Sequence, residues 1–176
     1  FDINFDFSVD FISEKNIPLL DIDYILEVPL KNIVYGTSAK FKYKRKNFCN
    51  CLRKQTNCNI CNGSGLTDQE IEAAIVIPPG IPNGHQFKLS GGGNCGFVAK
   101  SRIRLFGNLS VTIRYNQDKD LFIKDNVLIK LLNVDFSDAV LGCMKEFDLF
   151  GTKIDLKIEP KSKNGDIVLV PHRGIA

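Results

Sequence analysis

The chain has 176 residues, of which 44% are hydrophobic and 24% charged, an ordinary globular composition that suffices for one medium domain or two small ones. Its 23 basic and 20 acidic residues leave a net charge of +3, too weak to indicate nucleic-acid binding by itself. Only two histidines are present, His85 and His172, so histidine-centred catalysis is poorly supplied and we expect no enzyme. No apolar run approaches the roughly 18 residues of a membrane span.

Alternation of apolar and polar residues predicts strands along most of the chain. A short helical turn is expected at residues 29–35, closed by Gly36 as a C-cap, and Asn83-Gly84 predicts a hairpin turn between two extended runs. No segment has the length or the 3.6-residue period of a long helix, so a mainly β fold with short helices is predicted. In chain order the predicted strands are residues 1–11, 24–28, 39–43, 71–77, 109–113 and 127–134.

Two stretches of the sequence repeat. Residues 32–36 match residues 138–142 at an offset of 106, whereas residues 79–93 match residues 160–174 at an offset of only 81. The difference indicates an insertion of 25 residues in the first copy. The chain is therefore expected to contain two similar β-sandwich-like modules, the first carrying an insert.

Cysteines concentrate inside this insert. Four of the six fall within thirteen residues, as a Cys-x-Cys pair followed after six residues by Cys-x-x-Cys, and are Cys49, Cys51, Cys58 and Cys61. Two short pairs at the neck of a loop can supply the four tetrahedral thiolates of a zinc site. Such a site would be structural, because four sulfurs leave no open position. Disulfides in an oxidising compartment and a decayed site with free thiols are the alternatives.

Two other functional classes remain open for the insert. Its basic residues Arg45, Lys46, Arg53 and Lys54 are compatible with a zinc-ribbon protein that binds nucleic acid. A thiol–disulfide enzyme could use Cys58 and Cys61, although such a pair normally begins a helix, and no helix is predicted here. A solvated loop surface is the plainer interpretation of the basic residues.

Four motifs then resemble the C-terminal peptide-binding region of DnaJ-type (J-domain) heat-shock co-chaperones. They are residues 76–84 (VIPPGIPNG), 87–93 (FKLSGGG), 107–109 (GNL) and 136–142 (FSDAVLG). The family insert has four Cys-x-x-Cys-x-Gly-x-Gly motifs, of which this chain keeps the last and a shortened relic of the first. These two share one zinc ion in the family. A few luminal members carry a similar pair, which keeps disulfides open.

The resemblance implies a domain organisation. Residues 1–20 form a strand-like arm and linker, residues 21–115 a first peptide-binding β-module with the cysteine insert at 44–68, and residues 116–176 a second module truncated at its C-terminus. We hypothesise that residues 1–11 pair with this chain or a neighbouring copy and fill the groove as a client would. The full-length family protein is a homodimer, whereas this chain is expected to be a monomer or to associate through the arm.

The resemblance also implies how the chain functions. Unfolded polypeptides would bind as an added strand between residues 24–28 and 39–43 and pass to a DnaK-type heat-shock chaperone, whose acidic C-terminal tail binds basic residues nearby. A cytoplasmic location is expected, with the endoplasmic reticulum lumen as alternative, and neither nucleic acid nor membrane as partner. The implied peptide-contacting residues, whose alternative role is simply to pack in the hydrophobic core, are Leu26, Val28, Phe41, Tyr43 and Val111. The candidates for the tail, which could also be a solvated face, are Lys40, Lys42 and Lys44.

Overall fold

The computed structural model of this chain describes residues 11–12, 20–51, 58–98 and 104–175, and its fold is mainly β, as predicted. The described residues contain two helices of six residues each, and neither is long and apolar enough to cross a membrane. The elements are β1 (Phe11–Ile12), β2 (Ile22–Glu27), α1 (Leu30–Tyr35), β3 (Thr37–Phe48), β4 (Leu66–Ile77), β5 (Gln86–Leu89), β6 (Cys95–Val98), β7 (Arg104–Phe106), β8 (Leu109–Arg114), β9 (Leu121–Lys124), β10 (Val127–Lys130), α2 (Phe136–Leu141), β11 (Cys143–Leu149) and β12 (Thr152–Ile158).

The chain forms two compact units, each made of several chain segments. The first contains the described residues of Phe1–Glu27, Ser38–Val76 and Pro82–Arg114. The second contains Val28–Thr37, Ile77–Ile81 and the described part of Tyr115–Ala176. The predicted boundaries at residues 20 and 115, and the division into tandem modules, stay predictions.

The first unit is organised around β8. This strand pairs in parallel with β2 and antiparallel with β5, in the order β2-β8-β5. Its alternate residues Leu109, Val111 and Ile113 are fully buried, as the period of two predicts for a strand with one face in a core. Strands β3 and β4 form a separate ribbon, and β1, β6 and β7 a small third sheet.

The second unit buries one face of α1. Leu30, Ile33 and Val34 of this helix are buried, together with Ile77 from the end of β4. Two hairpins complete the unit, β9 with β10 and β11 with β12.

Two details of the sequence-based expectation were wrong. Asn83-Gly84 does lie in a tight turn, in which the amide of His85 donates to the carbonyl of Pro82 at 3.2 Å. The turn does not close a hairpin, because β4 pairs with β3 and β5 with β8. The predicted strand at 127–134 is shorter in the structure and ends at Lys130, the last residue of β10.

The predicted strand at 1–11 lies mostly outside the described residues, which do not include residues 1–10. Phe11 aligns in parallel with Phe97 of β6.

The internal repeat recurs as repeated backbone geometry. In each copy a six-residue helix ends at a glycine with positive φ. A Cβ at Gly36 would lie 3.1 Å from Pro79 Cδ, and one at Gly142 would lie 2.9 Å from Pro160 Cδ. The positive-φ positions matched by the two offsets are Gly36 and Gly142 (74° and 80°), Gly80 and Lys161 (74° and 69°), Gly84 and Gly165 (86° and 90°), and Gly91 and His172 (72° and 60°).

The correspondence between Gly80 and Lys161 leads to a first prediction, which concerns the stability of the fold. Lys161 adopts a left-handed conformation that its counterpart Gly80 takes without a Cβ penalty. We expect Lys161→Gly to raise the free energy of unfolding by roughly 0.5–1 kcal/mol, the αL penalty less the entropic cost of glycine. Thermal and urea unfolding followed by circular dichroism would measure it. Lys163→Gly, at an exposed neighbour without positive φ, is the matched control, and equal destabilisation by both would refute the assignment.

Candidate functional site: a four-cysteine centre and a free sheet edge

The four clustered cysteines lie at the tip of the β3–β4 ribbon. Each of its strands has twelve residues, against seven in the β11–β12 hairpin of the second copy, so the insert lengthens the ribbon. Cys49 directly follows β3, and its amide donates to the carbonyl of Gly65 at 2.8 Å. The turn after Cys61 is built from positive-φ residues, Asn62 at 48° and Gly63 at 85°. This tight turn brings the two cysteine pairs together.

The sulfur atoms converge to distances suited to a metal. All four Sγ atoms lie within 4.8 Å of one another, with Cys49 to Cys58 at 3.9 Å and Cys51 to Cys61 at 3.5 Å. A tetrahedron with Zn–S bonds of about 2.3 Å has sulfur–sulfur edges of about 3.8 Å, whereas a disulfide bond measures about 2.05 Å. All six cysteines, each within the described residues, are free. The four residues are therefore compatible with one metal ion.

The thiols of this cluster differ in acidity. Backbone hydrogen bonds from Cys61 and Ile60 lower the pKa of Cys58 to about 7. For Cys49, a backbone hydrogen bond from Cys51 lowers the pKa, but burial and the surrounding sulfurs outweigh it and raise the pKa to about 12. The thiolate of Cys58 is therefore favoured, whereas burial and hydrogen bonds with the neighbouring sulfurs favour the protonated form of Cys49. Four thiols in this arrangement are the soft donors that thiophilic metals require once they are deprotonated.

A second candidate site lies along β2. This strand is at the edge of its sheet, and within the described part of the chain only β8 pairs with it. The amide of Ile22 donates to the carbonyl of Asn108 at 2.9 Å, next to β8. Backbone groups alternate in direction along a strand, so those of Asp23, Ile25 and Glu27 point toward the free edge. An extended peptide could pair with them.

Aromatic side chains line the strands beside this edge. Tyr24 of β2 stacks on Phe41 of β3 with ring centroids 4.8 Å apart, and meets Tyr43 edge-on at 6.5 Å. The Tyr43 hydroxyl donates to the carbonyl of Gly92 at 2.7 Å. Tyr24 was not among the predicted peptide-contacting residues, although it lies at the same period of two as Leu26.

The five implied peptide-contacting residues differ in burial. Leu26 is half-buried on β2, and Phe41 and Tyr43 are 6% exposed within the aromatic cluster. Val28 is also 6% exposed, and Val111 is fully buried on the middle strand β8. A peptide at the free edge would therefore meet Tyr24 and Leu26 first.

The three implied tail-binding lysines are all exposed, alternating with the buried Phe41 and Tyr43 along β3. Lys42 Nζ lies 3.7 Å from Glu70 Oε2. Lys40 and Lys44 have no ion-pair partner within the described residues. These two are the lysines of the row whose charge is not already compensated.

The sequence of this chain is similar to those of known proteins and matches one family model. The family model of the DnaJ C-terminal domain matches residues 22–176. Chaperone protein DnaJ of Vesicomyosocius okutanii is 24% identical over an alignment covering 88% of this chain and 53% of that protein. Those of Carboxydothermus hydrogenoformans and Thermosipho melanesiensis are 32% and 30% identical, covering 68% and 80% of this chain. The chain spans about half or less of the length of these relatives.

Proposed function

The chain belongs to the DnaJ C-terminal domain family, and on that premise we propose that it binds unfolded polypeptide as an added strand on the free edge of β2. It acts as a non-enzymatic co-chaperone module. The proposal rests mainly on one observation: β2 has an edge that no strand of the described residues pairs with, and its Tyr24 belongs to an aromatic cluster with Phe41 and Tyr43. Main-chain hydrogen bonds supply affinity in this mode of recognition, and side-chain pockets supply selectivity.

The expected affinity is modest. Burial of one Leu or Phe side chain of the client against Tyr24 and Leu26 contributes roughly 1.5–3 kcal/mol, and each added main-chain hydrogen bond contributes about 1 kcal/mol. Association costs several kcal/mol of lost rigid-body freedom. Binding is therefore weak and reversible, as release of clients requires.

The four cysteines are proposed to hold one structural zinc ion at the tip of the β3–β4 ribbon. Residues 41–49 run without interruption from the aromatic cluster to the first ligand. A metal at the tip therefore restrains the same strand that carries Phe41 and Tyr43. Free thiols and a zinc centre suit a reducing compartment, so we propose a cytoplasmic location. The full-length protein is proposed to be a homodimer.

The direct test is a titration monitored by fluorescence anisotropy. A labelled, unfolded peptide of alternating leucine and serine residues would be titrated with the chain and then challenged with single-stranded DNA. Saturable binding that DNA cannot displace supports the proposed function. Absence of peptide binding, combined with tight DNA binding that weakens steeply with salt, would replace it with the zinc-ribbon interpretation.

One arrangement does not favour the nucleic-acid alternative. Bases stack on open aromatic faces, but the guanidinium of Arg104 lies 4.9 Å over the ring of Phe48, and that of Arg45 lies 5.4 Å over Phe106. Arg45 also donates to the carbonyl of Gly91 at 2.8 Å. Each of these two rings therefore already has a guanidinium over one face within the protein.

Delivery of clients is proposed to use Lys40 and Lys44, which would receive the acidic C-terminal tail of a DnaK-type chaperone. We expect the double variant Lys40→Ala, Lys44→Ala to weaken binding of a labelled, glutamate-rich peptide about three- to ten-fold at low salt, since exposed ion pairs contribute roughly 0.2–1 kcal/mol each. At 1 M salt the difference should largely vanish.

Lys42→Ala is the matched control for this measurement, because Lys42 is already paired with Glu70. It should weaken binding of the acidic peptide less than Lys40→Ala alone or Lys44→Ala alone. Equal binding by the double variant and the wild type would place the tail elsewhere.

A further inference from the structure

One turn of the structure adopts a conformation that its residue disfavours. Phe150 and Gly151 form the two-residue connection between Leu149 and Thr152, which are paired across the β11–β12 hairpin. The φ angles are 55° at Phe150 and 87° at Gly151. Turns with two positive φ values strongly favour Asn-Gly, and a bulky side chain at the first position is an outlier. Such an outlier persists where surrounding contacts over-determine it.

Within the hairpin the amide of Gly151 donates to Oδ1 of Asp148 at 3.0 Å, and two further contacts of the turn go to α1. The ring of Phe150 meets that of Tyr35 edge-on, with centroids 6.0 Å apart and planes at 74°. Lys31 Nζ donates to the carbonyl oxygen of Phe150 at 3.2 Å. The β11–β12 hairpin turn thus contacts both the first and the last helical turn of α1. This helix has six residues and is too short to be stable alone.

The helix that the repeat matches with α1 differs from it in burial. In α2 no residue is buried, and Leu141, which the repeat aligns with Tyr35, is 76% exposed. In α1, by contrast, Leu30, Ile33 and Val34 are buried, and the carbonyl of Ile33 accepts from the amide of Gly80 at 2.8 Å. Within the described residues α1 is therefore docked, whereas α2 is exposed.

The position of α1 in the chain gives this docking a functional consequence. The helix lies in the short link between the last residue of β2, Glu27, and the first residue of β3, Thr37. β2 supplies the free edge, and β3 supplies Phe41 to the aromatic cluster. We infer that Phe150 is a positioning residue for the peptide site: by fixing α1, it fixes the link between the two strands that form the site. This inference rests on the proposed function.

The test compares three variants by amide hydrogen exchange and by affinity for the labelled Leu/Ser peptide. Phe150→Asn places a residue suited to the turn at position 150 but removes the ring, Phe150→Tyr retains the ring, and Tyr35→Ala removes the ring on the other side. We expect Phe150→Asn and Tyr35→Ala to speed amide exchange in α1 about five-fold. This is the change in the opening equilibrium that loss of one edge-to-face aromatic pair should cause. Both should weaken peptide binding several-fold. Phe150→Tyr should restore both properties, and the amides of the β11–β12 hairpin should stay protected throughout.

Each other outcome overturns a defined part of the inference. Unchanged exchange in α1 would show that Phe150 does not hold the helix. Faster exchange with unchanged affinity would show that the docked helix does not position the peptide site. If the wild type binds no peptide, the proposed function fails and the positioning role with it, while the exchange data still decide whether the turn holds α1.

Discussion

Cys61→Ser is expected to abolish stable metal binding at the tip of the β3–β4 ribbon. The serine hydroxyl has nearly the shape of the thiol but does not ionise to a thiolate, and Cys61 Sγ is one of the four clustered sulfurs, 3.5 Å from Cys51 Sγ. Loss even of a residue that merely orients a ligand lowers metal affinity about 10- to 100-fold. Loss of a ligand should exceed that, so we expect a decrease of more than about 100-fold in zinc affinity.

The measurement is the zinc content of purified protein, with competition by a chromophoric chelator for affinity. Because a metal that binds only the folded tip stabilises it by mass action, the wild type should melt at a higher temperature with zinc than after chelation, and Cys61→Ser should show no such difference. Cys143→Ser is the matched control, since Cys143 is half-buried on β11 and outside the cluster.

A different result would identify disulfides instead. If the protein as purified contains no zinc and its mass is 4 Da below that of the reduced chain, the four cysteines form two disulfides. A mass equal to that of the reduced chain, with no zinc bound at micromolar metal, would indicate a decayed site. Either outcome contradicts the proposed zinc centre.

Ile25→Pro is expected to remove peptide binding while leaving the sheet intact. Ile25 is 51% exposed, and its backbone groups point away from β8, on the opposite side from those of Ile22. Proline has no amide donor, and its ring projects toward the approaching strand, which is why natural edge strands use it to block pairing. Loss of one hydrogen bond, about 1 kcal/mol, together with this steric block should weaken peptide affinity at least ten-fold.

Ile25→Ala is the matched control, because it removes the same exposed side chain but keeps the donor. It should bind peptide nearly as well as the wild type. Both variants should keep the amides of β8 protected from exchange, since the groups that pair with β8 belong to the alternate residues Ile22, Tyr24 and Leu26. Wild-type affinity in Ile25→Pro would mean that clients do not add to the β2 edge.

The cysteine centre and the peptide site are joined by one strand, which makes the two experiments informative together. β3 carries Phe41 and Tyr43 and ends at Phe48, one residue before Cys49. Loss of zinc that leaves peptide affinity unchanged would assign the metal to the ribbon tip alone. Loss of both would show that order at the tip extends along β3 to the aromatic cluster.

The sequence alone determined what depends on neighbouring residues. The period of two in β3 and β8, the glycine C-cap at Gly36, and the spacing of the four cysteines are consequences of local geometry. The backbone can adopt these forms wherever the residues occur, so pattern and spacing suffice. The repeat was likewise visible in part because two corresponding positive-φ positions, Gly36 with Gly142 and Gly84 with Gly165, hold glycine in both copies.

Only the tertiary structure decided which distant segments meet. Nothing in residues 78–86 shows that β4 pairs with the preceding strand β3, whereas β5 pairs with the later strand β8. Strand β2 likewise pairs with β8 although their aligned residues, such as Ile22 and Leu109, are 87 positions apart in the chain. The same holds for Tyr24 on Phe41 and for Phe150 against Tyr35. Such pairings are selected by burial of apolar faces over the whole unit, a free energy that no local pattern contains. That selection leaves β2 at an edge, and with it the place where a peptide can add.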